Sequence, residues 1–296
     1  MRLMGWTPEL RPGAAAPVYN APAHGLSDAA ADAGTEAEMK VVLFCGGLGT
    51  RIRDYSENVP KPLVPIGSRP ILVNLMQYYA HHGHREFILC LGYRGDAIKE
   101  YFLDYNECLS NDFVLSKGGR EIELLHRDID DWIITFVDTG LHANIGERLL
   151  AVERHLEGES AFLANYSDGL TDLPLNRYIE DALASDCVAS LLAVPAPHAF
   201  HIVESDERGH VQRLQHVGES VVRINGGFFV FQREIFDYIQ PGEELVHEPF
   251  RRLIAQGKLH AHPYDGFWAS MDTFKDKQRF EDLLARGQAP WQVWKA

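Results

Sequence analysis

The short apolar run Val41-Val42-Leu43-Phe44 breaks into a glycine-rich turn, Cys45-Gly46-Gly47-Leu48-Gly49-Thr50-Arg51. A run this short, closed by glycines, reads as a buried strand feeding a loop. Glycines let the backbone approach an anion closely and adopt positive φ. Successive N–H groups in such a turn make an anion-binding concavity. Lys61 follows between Pro60 and Pro62, so Arg51 and Lys61 can add fixed positive charge. Together these residues read as a strand leading into a loop that can hold a triphosphate.

Two familiar phosphate loops do not fit. The Walker pattern needs a second glycine five positions after the first, where Arg51 stands after Gly46. The dinucleotide fingerprint finds Gly47 and Gly49 but has Ile52 in the third glycine place. For the glycines alone, a strand-to-helix turn without a ligand is the competing reading. Thr50-Arg51 and Lys61-Pro62 favour the anion-binding one.

The rest of the chain alternates strand-like and helix-like segments, which points to an α/β fold with a mixed, mostly parallel central sheet flanked by helices. Strands are expected at 41–44, 87–91, 133–137, 161–164, 188–194, 221–231 and, more weakly, 211–214. Helices are expected at 70–81, with Pro70 near the first turn, from Asp96 to Phe102, around Arg148–His155, and at 234–239 and 248–255. Residues 1 to about 38, rich in Ala, Pro and Gly, read as a disordered or weakly ordered extension. The domain is expected over 39–296, with a nucleotide-binding half to about 170 and an acceptor-binding half beyond.

At this point the chain resembles the sugar-1-phosphate nucleotidyltransferases, and among them the glucose-1-phosphate cytidylyltransferases. The resemblance rests on Gly46-Gly47-Leu48-Gly49-Thr50-Arg51 followed by Lys61-Pro62-Leu63-Val64-Pro65-Ile66-Gly67. It continues through Gly92-Tyr93-Arg94-Gly95, Val137-Asp138-Thr139-Gly140, Ser167-Asp168-Gly169, Ile224-Asn225-Gly226-Gly227-Phe228-Phe229, Met271-Asp272-Thr273 and Ala289-Pro290-Trp291. It implies a Rossmann-like nucleotidyltransferase fold and transfer of a nucleoside monophosphate, CMP from CTP, to a sugar 1-phosphate or similar phosphorylated acceptor, with release of pyrophosphate. It implies that Phe44, Cys45, Gly46, Gly47, Leu48, Gly49, Thr50, Arg51, Lys61 and Arg148 contact the nucleotide, with Arg51 and Lys61 catalytic. Asp168 and Asp272 would hold Mg²⁺, and Asn225 and Gly226 would meet the acceptor. Asp138-Thr139-Gly140 lies in the loop expected to reach the base. A homo-oligomer is implied as well.

Three departures stand out. Glu147 replaces a glycine beside Arg148, putting a carboxylate where it could pair with the arginine or weaken triphosphate binding. Gln215-His216-Val217 stands where related enzymes carry Glu-Lys-Pro, and Phe200-His201-Ile202 stands where they carry Phe-Gly-Ala. The donor half of the site therefore reads as intact and the acceptor half as rebuilt. Two alternatives stay open: a non-catalytic nucleotide-binding regulatory paralogue, and a glycosyltransferase holding a nucleotide sugar through Asp168.

Charge and composition narrow the classes further. A net charge of -14 over 296 residues argues against a nucleic-acid-binding surface or a polybasic membrane patch. Cys45, Cys90, Cys108 and Cys187 show no paired metal-type spacing. No apolar run reaches membrane-span length, and the N-terminus lacks a secretory pattern, so a cytoplasmic enzyme is the default expectation. His81, His82 and His84 read as the exposed end of a helix, Phe228-Phe229-Phe231 as core, His198 and His201 as loop residues or acceptor contacts, and Glu243-Glu244 as a solvated face.

Overall fold

In the computed structural model, residues 38–47, 59–196, 201–217 and 220–295 are described. Side chains of a strand alternate between its faces. In Val41–Phe44 (β1), Val41 and Leu43 join one apolar cluster, while Val42 and Phe44 join a second. Both faces are covered, so the strand reads as an unbroken apolar run.

A small hairpin, Pro65–Ile66 (β2) and Arg69–Pro70 (β3), leads into the helix Ile71–His81 (α1). Glu86–Leu91 (β4) then pairs parallel with β1, Phe44 opposite Cys90. Gly95–Leu103 (α2) precedes a hairpin that stands off the main sheet, Phe113–Ser116 (β5) and Glu121–Leu124 (β6). Ile133–Asp138 (β7) extends the parallel run beside β4. After Ile145–Val152 (α3), Ala161–Tyr166 (β8) returns to the other side of β1, again parallel. The strand order reverses at this step, so a switch point lies between β1 and β8. Open α/β sheets bind ligands outside the carboxyl ends of strands at such a point.

The second half adds Gly169–Thr171 (β9), Leu175–Ala184 (α4), Ala189–Pro195 (β10), the hairpin His201–Ser205 (β11) and Val211–His216 (β12), Arg223–Asn225 (β13), Phe229–Gln232 (β14), Glu248–Ala255 (α5), Leu259–Pro263 (β15), Trp268–Ser270 (β16) and Phe274–Ala285 (α6). The main sheet runs β13-β10-β14-β8-β1-β4-β7, with β15 also beside β10. Four of its seven pairings are parallel, which is the mixed, mostly parallel sheet the sequence implies.

The expected strand over 221–231 is two strands. Gly226-Gly227-Phe228 breaks it, with Gly227 at φ +75° and Phe228 at φ 49°. A Cβ on Gly227 would sit 2.5 Å from Asn165 Oδ1. Only glycine fits that corner, and the apolar run conceals it. The expected helix at 234–239 is a 3-10 turn, Arg233–Tyr238. Helix α4 went unread although Leu175, Tyr178, Ile179 and Ala182 are buried at helical spacing. The tail is anchored by Trp291, fully buried against Phe267 and Phe280 with ring centroids at 5.7 and 5.2 Å. No helix among the described residues is long and apolar enough to cross a membrane.

The histidines after α1 correct the sequence reading. His81 is exposed, His82 half-buried and His84 only 3 % exposed. The Met39 N–H, at the lead-in to β1, donates to His84 Nδ1 at 3.1 Å, so the ring proton sits on Nε2. Burial pushes both His82 and His84 down to about 4. Their folded values lie below the ordinary 6.5, so the fold favours the neutral rings. Stability from this source is complete above pH 6.5, falls as the pH drops toward 4, and levels off below. His84→Gln keeps an acceptor for Met39 without a titrating ring. It is expected to recover on the order of 2 kcal/mol of the loss at pH 4. Thermal unfolding of both proteins across pH 4–7 measures this, and parallel curves would exclude it.

Candidate active site

The ends of β1, β4, β7 and β8 converge on one edge of the sheet. Cys45 N–H donates to Cys90 O at 2.9 Å, carrying the β1–β4 ladder one residue past the strand. The Cys45 thiol is buried, which pushes it up to about 12. It is a neutral packing group, and its backbone donor is already used. Gly46 and Gly47 follow with no N–H bond to a described residue.

The expectation of positive φ fails at both glycines. Gly46 is required for another reason: a Cβ there would lie 2.1 Å from Arg148 Nη1. At Gly47 a Cβ would meet nothing within 4 Å. The first glycine makes room for a guanidinium, and the second opens onto the cavity. Leu48, Gly49, Thr50 and Arg51 lie outside the described residues.

Lys61 opens a single 3-10 turn, Lys61–Leu63, between two prolines that fix its backbone. Its Nζ donates to Asp168 Oδ2 at 2.5 Å and Asp272 Oδ1 at 2.8 Å. Burial alone would lower its pKa, but the Asp168 and Asp272 carboxylates outweigh burial and hold the ammonium above its ordinary value. Lys61 is therefore a fixed cation in a partly buried site.

The two aspartates are joined by a small sheet away from the main one. Asp168 precedes β9, Asp272 follows β16, and β9 pairs antiparallel with β16, Gly169 opposite Ser270. Met271 N–H donates to Asp168 O at 2.9 Å. Ser270 Oγ donates to Asp272 Oδ2 at 3.0 Å. The Asp272 N–H donates to Asp276, whose capping box with Thr273 starts α6. Ser167 Oγ donates to Phe44 O at 3.0 Å, tying the Asp168 turn to the end of β1. Both carboxylates thus face a common cation from separately anchored backbones.

Arg148 lines the cavity over this edge and is also engaged in the fold. It sits in the first turns of α3 and is 3 % exposed. Its guanidinium donates to Gly46 O, Leu91 O, Thr139 Oγ1 and Gly140 O at 2.7–3.1 Å. It fastens together the loops after β1, β4 and β7, including the loop expected to reach the base. Glu147 forms no ion pair with Arg148 and is not among the residues that line the cavity. Its carboxylate accepts from Asn144 N–H at 2.9 Å while Asn144 Oδ1 accepts from Glu147 N–H, the two halves of a capping box on α3.

The acceptor residues are engaged in the fold. Gly226 N–H donates to Leu192 O at 2.8 Å, and Gly226 O accepts from Trp268 Nε1 at 2.8 Å. Both backbone groups of Gly226 are thus already hydrogen-bonded within the fold. Asn225 is exposed, and its Oδ1 accepts from Gly227 N–H at 2.9 Å. His201 and His216, which stand at two of the departures from the family pattern, are cross-strand partners with ring centroids 5.0 Å apart. His198, Phe200, Gly218 and Glu219 lie outside the described residues.

A cavity of about 420 Å³ opens over this edge. Gly46, Gly47, Lys61, Arg148, Asp168 and Asp272 line it together with Ala143, Asn144, Ile145, Tyr166 and Glu244. Such a volume suits a small-molecule ligand. Burial and the nearby Glu244 and Asp168 carboxylates push the Tyr166 phenol up to about 12, so it is a neutral hydroxyl. Tyr166 and Glu244 were not singled out by the sequence. Tyr166 could have been found from its place one residue before Ser167-Asp168. Glu244 carried no such signal, and the solvated-face reading fails for both members of its pair: Glu243 is ion-paired with Arg252, while Glu244 lines the cavity.

Comparison with known proteins bears on this geometry. The family described as nucleotidyl transferase matches residues 40–276. The chain is 38% identical over 259 residues to glucose-1-phosphate cytidylyltransferase of Salmonella typhi, covering 86% of this chain and 100% of that protein. It is 35% identical over 258 residues to the probable glucose-1-phosphate cytidylyltransferase of Bacillus subtilis, with coverage of 86% and 100%. Among solved structures, HddC from Yersinia pseudotuberculosis superposes with a TM-score of 0.61 at 21% identity, covering 83% of this chain and 99% of that one.

Proposed function

This chain belongs to the nucleotidyl transferase family, and on that premise we propose that it transfers CMP from CTP to a sugar 1-phosphate with release of pyrophosphate. The observation that carries the reading is the Lys61 ammonium, held between Asp168 and Asp272 in a cavity shared with the open Gly46-Gly47 turn. An acceptor phosphate oxygen forms a bond to the α-phosphorus. The bond from that phosphorus to the bridging oxygen breaks, and pyrophosphate leaves with the electron pair. The acceptor phosphate is already a nucleophile at neutral pH, so the protein need not supply one.

Both reactants are polyanions, and the chain itself carries a net charge of -14. Local positive charge and fixed donors are therefore what the site must provide. Lys61 supplies a point charge, and Gly46 and Gly47 supply backbone donors. Arg51 fits as a second cation from the same loop. Asp168 and Asp272 fit Mg²⁺: two carboxylates already converge on one cation, and Mg²⁺ takes few protein ligands and shares phosphate oxygens. When bound, the ion supplies charge neutralisation at the α-phosphate and the leaving pyrophosphate. The two relatives are named for glucose 1-phosphate. Gln215 and His216 replace the charged pair expected at the acceptor, so the reading extends to sugar 1-phosphates as a class.

A matrix of nucleoside triphosphates against sugar 1-phosphates, read by pyrophosphate release, tests this. Release is expected with CTP and at least one sugar 1-phosphate, and only when both are present with Mg²⁺. CTP binding without release across the whole matrix would replace this reading with a non-catalytic one.

A further inference from the structure

Glu244 lines a cavity that, on the reading above, accepts a polyanion. Unlike Asp168 and Asp272, which face a cation, a carboxylate with no cation beside it has no electrostatic use near phosphates, since like charges repel strongly where water is scarce. Glu244 has no ion-pair partner among the described residues. Its one hydrogen bond is from the Ile145 N–H to Oε2 at 3.4 Å, a long contact at the start of α3. The carboxylate therefore keeps unused acceptor capacity facing the cavity.

Its backbone is held from both sides. Asn144 Nδ2 donates to Gly242 O at 3.0 Å. Glu243 is ion-paired with Arg252, and its carboxylate also accepts from Gln240 N–H at 3.0 Å. Glu243 O packs so closely on α3 that a Cβ at Gly146 would come within 2.3 Å of it. Leu245 is fully buried. These contacts hold Glu244 beside Asn144 and Ile145 at the start of α3, whereas the Lys61 ammonium is held by Asp168 and Asp272. Tyr166 lines the same cavity and offers a flat, mostly apolar surface.

One cavity thus carries two kinds of lining. The Lys61 part suits phosphates. The Glu244 part suits a neutral group that donates hydrogen bonds and brings an apolar face. A nucleoside offers two such groups, the ribose hydroxyls and an exocyclic base amine. The ribose is bonded close to the α-phosphate, where Glu244 would also repel charge. The amine lies at the far edge of the base. We propose that Glu244 reads the nucleobase by accepting from the exocyclic amino group of cytosine, and so selects CTP over UTP. A carboxylate accepting from cytosine N4 is an established pairing, whereas uracil presents a carbonyl oxygen there. This inference rests on the nucleotidyl transfer proposed above.

The test compares wild type and Glu244→Gln with CTP, UTP, 2′-deoxy-CTP and the analogue of CTP lacking the 4-amino group. Pyrophosphate release gives kcat/KM, and calorimetry gives binding. Wild type is expected to prefer CTP to UTP and to the deaminated analogue by at least about 10-fold. In Glu244→Gln the preference over UTP shrinks by about 10-fold, because the amide can donate to the uracil carbonyl as well as accept, while the preference over the analogue without the amino group, which offers no carbonyl there, is largely kept. An equal fall for every nucleotide would overturn the proposal, as would an effect confined to 2′-deoxy-CTP, which assigns Glu244 to the ribose. The wild-type comparison needs no variant, so a poorly folded Glu244→Gln leaves a decisive arm: full use of the deaminated analogue refutes the amine contact. If wild type released no pyrophosphate with any nucleotide, the transfer reading would fall, while calorimetry would still show whether CTP binds more tightly than UTP.

Discussion

Asp168→Asn is expected to lower kcat for pyrophosphate release by about 10²–10³-fold with little change in KM. The asparagine keeps the shape and an acceptor for Lys61 but removes one of two negative charges around the shared cation. Asp168 fixes the neighbouring fold through its backbone carbonyl, which bonds to Met271 N–H, and that contact survives the substitution. The loss should therefore appear in turnover rather than in folding. Asp272→Asn should behave alike. The double variant should cost scarcely more than either single one, because both side chains act on the same cation. Steady-state kinetics on the three variants decide this. Full activity in both single variants would dissolve the two-carboxylate site.

Arg148→Met should act mainly on stability, by about 3–5 kcal/mol. Methionine matches the aliphatic stem of arginine but supplies no donor. Gly46 O, Leu91 O, Thr139 Oγ1 and Gly140 O would all lose a partner at the edge of the core. Leu91 O and Thr139 Oγ1 keep their bond to each other, but Gly46 O and Gly140 O are left without this donor, and an unmet buried acceptor costs more than the bond itself contributes. Arg148→Lys should retain part of the stability, since an ammonium donates but cannot span three loops as a planar fork does. Urea unfolding monitored by circular dichroism measures both. KM for the nucleotide should rise as the glycine turn loses its anchor. A variant of unchanged stability whose nucleotide KM alone is raised would instead make Arg148 a direct ligand contact, the role the family resemblance implies.

Much of the frame was legible in the sequence because it is carried by local signals. The β1 run and its glycines, the Ile98 helix face and the 248–255 helix each announce themselves by burial spacing or turn chemistry. The corner at Gly226-Gly227-Phe228 was hidden because an apolar run looks the same whether or not it bends. The site was legible as a set of residue types, with Lys61, Asp168 and Asp272 meeting as expected. The hydrogen-bond partners of Cys45, Gly46, Glu147, Arg148 and Gly226 were not, since each depends on which group happens to stand opposite. Glu243 and Glu244 show the limit most directly. Two identical neighbours separate into an ion pair with Arg252 and a cavity-lining residue only when their segment packs on the start of α3.

The sequence by itself determined the strand-to-glycine turn, the mixed α/β order and the residue types available to a phosphate site. These follow from periodicity, conformational preference and side-chain type, all of which act over a few residues. Tertiary structure alone decided that β9 and β16 pair, which brings Asp168 and Asp272 onto Lys61. It also decided that Arg148 turns inward to bind three loops and that Glu244 turns toward the cavity. Those outcomes depend on non-local packing, where a polar group's partner is set by whichever chain segment closes over it.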